Sequence, residues 1–269
     1  MEQDVPENIL KTIWEKLRKG DIILPPNFPL IPSNSSAAKA IRFALILAVL
    51  FREINQRIFQ PSYFLSETNN LRETLEHLAV SNGEKEAFCR RVLLSIDSDA
   101  EHNALESEIG AIAQKMLSYA GRIFSESQQE LFCTKIRQIV QTAAEAWLPI
   151  QRSRRKFETD FDESFDPDDS EWDRFPFAGE NTTPAAQDLQ GLYILNIFPC
   201  ISSLEDDDYD PLTKIIQLRS SQALYLAAQG EAAQIASCVS ARRSSNRPRR
   251  QSTAGSNGNH FLGGSSAKV

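Results

Sequence analysis

From residue 6 to residue 147 the apolar residues recur at spacings of three and four, in stretches broken by proline, glycine and helix-capping residues. That period places them on one face of an α-helix and constrains the fold more than any other feature of the chain. Residues 6–19 have Pro6 in the first turn, Gly20 just past the end, and Leu10, Ile13, Trp14 and Leu17 on one face. The stretch from Leu24 to Pro32 holds four prolines, so it cannot be helical; it is expected to run extended and to pack through its apolar residues. Ser35 or Ser36 can cap a long helix over 37–59 that Pro61 ends. A helix over 67–80 carries Leu71, Leu75 and Leu78, and one over 84–96 carries Phe88, Val92, Leu93 and Ile96. The fifth, capped by Asp97, Ser98 or Asp99, aligns Leu105, Ile109, Ile112 and Met116. These span under two heptads, too few for a coiled coil, so the face is expected to meet a core. The sixth, over 126–147, turns Leu131, Ile136, Ile139, Val140, Ala143 and Trp147 inward.

The pattern breaks after Pro149. The formal net charge is -7, but its distribution says more than its sum. Residues 158–173 hold nine acids, whereas residues 241–269 hold six basic residues and no acid. Acids at that density repel, so residues 158–185 are expected to form a poorly ordered acidic insert. The aromatics Phe161, Phe165, Trp172, Phe175 and Phe177 lie among those carboxylates, as in segments that dock on a basic or apolar surface, the chain's own body included. Residues 186–198 return to core composition without deciding between helix and strand. Residues 212–240 read as one or two helices using Leu212, Ile215, Ile216, Leu218, Ala223, Leu224, Ala227 and Ile235. The expected fold is therefore all-α. It is an irregular multi-helix bundle with a helical domain over 1–157, the insert, a C-terminal helical region over 186–240 packing on the first domain, and a disordered basic tail over 241–269.

The start, Met-Glu-Gln-Asp, lacks the basic and apolar regions of a secretory signal, so the expected location is nucleus or cytoplasm. The most apolar run, Phe43 to Phe51, has about half the length that a membrane span needs. It reads as a buried core helix, and no membrane span is expected. Cys89, Cys133, Cys200 and Cys238 lie far apart, form no Cys-x-x-Cys, and are expected to be reduced thiols, two or three of them in the core. The glycosylation triplets at Asn34 and Asn181 carry no weight without secretion.

Two acidic clusters invite a metal reading. Asp206, Asp207 and Asp210 have the Asp-Asp-x-x-Asp spacing that, on a helix, sets carboxylates one turn apart to hold Mg²⁺ against a diphosphate. This resembles the aspartate-rich motif of the isoprenoid synthases, an all-helical family, and implies a divergent Mg²⁺-dependent enzyme. The resemblance covers five residues. Pro211 follows at once, which sets the motif in a loop, and the family's second metal motif is missing, so a solvated acidic loop is the preferred reading. Asp160, Asp162, Ser164, Asp166, Asp168 and Glu171 match the ligand positions of an EF-hand loop. Phe165 stands where that loop needs glycine and Pro167 where it needs an apolar contact, so the match is attributed to acid density. His77, His102 and His260 have no partner at metal spacing. No nucleophile elbow, phosphate loop or dinucleotide fingerprint occurs, and no cofactor is expected.

The tail offers a different signal. Arg242-Arg243-Ser-Ser245 and Arg249-Arg250-Gln-Ser252 set paired arginines ahead of a serine, as basophilic kinases require, and Ser170 before Glu171 and Asp173 suits an acidophilic kinase. Arg242, Arg243, Arg247, Arg249 and Arg250 can also serve nuclear import or contact nucleic-acid phosphates, and the short run Arg152 to Lys156 is a second import candidate. A solubilising tail without further function is an equal reading. The expectation is a non-enzymatic interaction or regulatory protein with a protein partner. A nucleic-acid-associated protein and the Mg²⁺-dependent enzyme are the alternatives.

Overall fold

The computed structural model describes residues 5–18, 24–25, 28–60, 70–96, 98–161, 172–177, 193–205 and 208–245. Helices form where the apolar period places them: α1 (Glu7–Arg18), α2 (Ser36–Arg57), α3 (Asn70–Ser81), α4 (Gly83–Ile96), α5 (Ser98–Ala120) and α6 (Glu126–Gln151). A short 3-10 turn, Gly121–Ile123, separates α5 from α6. Ser35 caps α2 by accepting the Ala38 N–H over 3.1 Å. At the start of α6 the Ser125 N–H donates to the Gln128 side chain over 3.0 Å, as in a capping box. Pro149 is accommodated inside the last turns of α6, which continues to Gln151.

α2 is the centre of the body. Ile41, Ala44, Leu45, Ala48, Leu50 and Ile54 are fully buried, and they meet Ile109, Ile112 and Met116 of α5 and Ile136, Val140 and Trp147 of α6 in one core. The proline-rich stretch packs on this core: Phe28 and Ile31 are buried, and the Trp14 indole N–H donates to the Ile31 carbonyl over 3.0 Å. Among the described residues no helix is long and apolar enough to cross a membrane.

The all-α expectation is overturned beyond α6. Six strands follow among the described residues: β1 (Lys156–Asp160), β2 (Trp172–Arg174), β3 (Tyr193–Phe198), β4 (Cys200–Glu205), β5 (Asp208–Pro211) and β6 (Ile215–Arg219). They form two sheets, ordered β1-β4-β5 and β2-β6-β3. In the first, both pairs are antiparallel, and Phe157 faces Ser203 while Thr159 faces Ile201. In the second, β6 is central, parallel to β2 and antiparallel to an irregular β3. Leu212, Ile215, Ile216 and Leu218 match a helical spacing, yet Ile215–Arg219 is a strand. As a central strand it buries Ile215, Gln217, Leu218 and Arg219 alike, and strand pairing outweighs a periodicity only two turns long. The undecided residues 193–198 are likewise strand, and β3 packs against α2 with Phe51 and Phe198 edge to face, ring centroids 4.9 Å apart. The chain then enters α7 (Ala223–Ser245), whose first turns bury Tyr225 and Ala228 in the core.

The orientation of α4 also differs from expectation. Its apolar period predicts Phe88, Val92 and Ile96 inside, but all three are exposed, and Ala87, Leu94, Glu86 and Arg90 are buried instead. Arg90 pairs with Glu86 over 2.8 Å and donates to the backbone carbonyls of Gln151 and Ser153. This network, which satisfies a buried cation, sets the rotation of the helix.

The chain divides into a body over 1–232 and a terminal unit over 233–269. In the terminal unit the described residues are helical, and 233–238 are exposed.

Candidate functional site

An apolar groove of about 500 Å³ runs along α6. One wall is α6 itself, through Lys135, Gln138, Ile139, Thr142 and Ala146, all exposed and strung along the helix. At 1.5 Å per residue they mark out a length of about 16 Å. Phe51 and Phe59, from the end of α2 and just beyond it, and Phe198 and Ile201, from β3 and β4, make the opposite wall. Ala143, Trp147 and Ile150 form the floor. The concavity exists because positions 142, 143 and 146 carry small side chains between large aromatics.

Phe59 and Trp147 pack with tilted rings, 4.8 Å between centroids, and the Trp147 indole N–H donates to the Gln60 carbonyl over 2.9 Å, which ties wall to floor. Lys135 donates to Gln138 over 3.1 Å and is the one charged side chain among the described residues that line the groove. The chemistry that this lining supplies is desolvation of an apolar face with a cation at the rim. The helical period places Ile139 inside, whereas it stands 40% exposed in the groove, and Leu131 is 59% exposed. The legible signal for the groove is that α6 carries more apolar positions than one core-facing stripe uses.

The sequence-derived site residues fall elsewhere. Trp172, Phe175 and Phe177 are buried in the chain's own body. The Arg219 guanidinium lies 3.9 Å over the Trp172 ring, and Phe175 and Phe177 meet edge to face at 4.9 Å. The Phe175 N–H donates to the Gln217 carbonyl over 2.8 Å, and the Gln222 amide donates to the Phe175 carbonyl over 2.8 Å. Phe161 is half-buried beneath the Arg52 guanidinium, 4.9 Å away. Phe165, Ser170, Arg247, Arg249, Arg250 and Ser252 lie outside the described residues; Arg242, Arg243 and Ser245 are described only as backbone in the last turns of α7.

Of the aspartate motif, Asp210 is exposed on β5 opposite Ser203, and Asp206 and Asp207 lie outside the described residues. The described part therefore lies on a β-strand rather than on the helix wall that the spacing needs to hold a metal. Of the EF-hand positions, Asp160 ends β1 and the others lie outside the described residues. His77 and His102 are exposed. Cys89, Cys133 and Cys200 are free and half-buried and Cys238 is free and exposed, so the described thiols stand nearer the surface than expected. Among the described residues no three His, Cys, Asp or Glu side chains gather at metal-binding distance.

No protein-family model matches the chain, and no curated protein and no solved structure matches it.

Proposed function

We propose that this chain is a non-enzymatic interaction protein whose groove along α6 receives an amphipathic helix of a partner protein. The observation that supports this reading is the groove's composition: one wall bearing Phe51, Phe59 and Phe198, small side chains at Thr142, Ala143 and Ala146, a length of about three helical turns, and Lys135 as its charged rim. A helix lying in such a groove anchors through apolar residues at i, i+3 or i+4, and i+7, and aromatic pockets of this kind concentrate binding energy in a few contacts. Charge complementarity with Lys135 selects a partner helix bearing an acid beside its first anchor.

The test uses a displayed library of helical peptides panned against the full chain and against an Ala146→Arg variant. Position 146 is exposed on α6, and arginine is a good helix former, so the variant fills the groove and keeps the helix. The expected winners carry the three apolar anchors and the acid, and lose about tenfold or more in affinity on Ala146→Arg at unchanged melting temperature. A library that yields no binder, or binders indifferent to Ala146→Arg, overturns the reading.

A further inference from the structure

A second cavity, of about 630 Å³, opens where the first turns of α2 meet the start of α6. Its charged lining is all of one sign: Lys39 and Arg42 from α2, and Arg122 from the turn before α6, with no carboxylate among the described lining residues. Asn34, Ser125 and Gln128 add polar side chains, and Phe43, Ile46 and Phe124 supply an apolar side.

Arg42 is the centre of the site. It is 6% exposed, and its Nη1 donates to the Ser33 carbonyl over 2.6 Å and to the Ile31 carbonyl over 3.4 Å. Those two bonds fix the plane of the guanidinium at the cavity wall while using only one of its nitrogens. Burial lowers the Arg42 pKa, and the charge of Glu231 offsets that in part. Glu231 itself accepts the Ser35 hydroxyl over 2.6 Å, and it acts on Arg42 through space rather than as an ion pair. The buried Arg42 guanidinium has no ion pair among the described residues, and a buried charge without a close counter-charge costs stability. An anion that enters the cavity relieves that cost.

The dimensions and the apolar side choose among anions. A bare inorganic ion fills a small part of 630 Å³ and leaves the Phe43 and Phe124 rings in water. Basic groups on three side chains suit a tetrahedral phosphate better than a single carboxylate, because a phosphate monoester offers three acceptor oxygens and close to two negative charges where a carboxylate offers two oxygens and one. We propose that this cavity binds a small phosphate monoester, its phosphate held by Lys39, Arg42 and Arg122 and its apolar body lying against Phe43 and Phe124. This site shares no residue with the groove along α6 and stands independently of the interaction reading.

The test is a calorimetric titration of the full chain with 1-naphthyl phosphate, beside 1-naphthol, 1-naphthoate and inorganic phosphate. The expected order puts the ester first, each comparator being about tenfold or more weaker, with an ester affinity that falls as salt rises. Arg122→Ala, at an exposed position, and Lys39→Met are each expected to weaken the ester about tenfold and to leave 1-naphthol unchanged, Arg122→Ala at unaltered melting temperature. Naphthol binding as tightly as the ester reduces the site to an apolar hole and overturns the proposal. Tighter binding of naphthoate overturns the phosphate assignment, and ester affinity indifferent to both substitutions overturns the location.

Discussion

The indole N–H of Trp147 donates to the backbone carbonyl of Gln60 over 2.9 Å, and the Gln151 amide donates to the same oxygen over 2.8 Å. Two side chains near the end of α6 thereby hold the chain just past α2, and the floor of the groove is fixed against its wall.

That relationship separates ring volume from hydrogen bonding. Trp147→Ala is expected to cost about 3–5 kcal/mol of stability, since it empties a large buried site. Trp147→Phe keeps most of the ring and loses the bond, and the lost bond itself is expected to cost about 1 kcal/mol. Urea denaturation of both variants measures the difference; equal losses would show that the bond outweighs the packing.

Glu86 and Arg90 are buried within α4, and Arg90 also holds the Gln151 carbonyl. Glu86→Ala leaves a buried guanidinium without its counter-charge and is expected to cost about 3–5 kcal/mol. Replacing both residues by methionine is expected to cost less than the sum of the single replacements, because neither charge is then left unpaired. A double-mutant cycle reads this directly, and additive losses would remove the pair as the reason α4 sits as it does.

The outward face of α4 makes the opposite prediction. Phe88 is 66% exposed and Ile96 is 70% exposed, whereas Leu94 is 3% exposed. Phe88→Ser and Ile96→Ser are expected to change stability by roughly 0.5 kcal/mol or less, and Leu94→Ala by about 2–5 kcal/mol. Thermal melts of the three variants check the rotation of the helix, and the reverse ranking would contradict it.

Tyr225 links the core to alkaline pH. Its ring is 2% exposed and lies edge-on to Phe28 at 6.2 Å. Burial pushes the phenol above its ordinary value of 10.0, and the hydrogen bond from Gln229 opposes this in part. The folded chain therefore keeps a proton that the unfolded chain gives up near pH 10. Stability from this group is complete below that pH and is lost as pH rises from there through the higher folded value. Wild type is expected to lose stability faster than Tyr225→Phe on going above about pH 10, where melting curves can be compared. Parallel decline of the two proteins would refute the link.

Helical periodicity made α1 and α5 legible from residue identities, because each buries one stripe along several turns and the 3.6-residue period repeats often enough to be seen. Leu10, Ile13, Trp14 and Leu17, and Ile109, Ile112 and Met116, lie where that period puts them, whereas α2 was legible from its capping serine and its apolar run and is buried round most of its circumference. Strands β1 and β6 offered no such signal. Lys156 pairs with Leu204 and Trp172 with Ile215, each more than forty positions away, and the other edge of β6 pairs with β3, so these strands are made by segments distant in the chain. Acid density within 158–173 gave no hint that Trp172 would lie beneath Arg219 or that Phe175 would bond to the neighbour of β2. The rotation of α4 was decided by Arg90 reaching the end of α6, and the groove by Phe51 meeting Phe198 and Phe59 meeting Trp147. A local period records which face of a helix is apolar. Which face is covered, and what stays open beside it, depends on partners that come together only when the chain is folded.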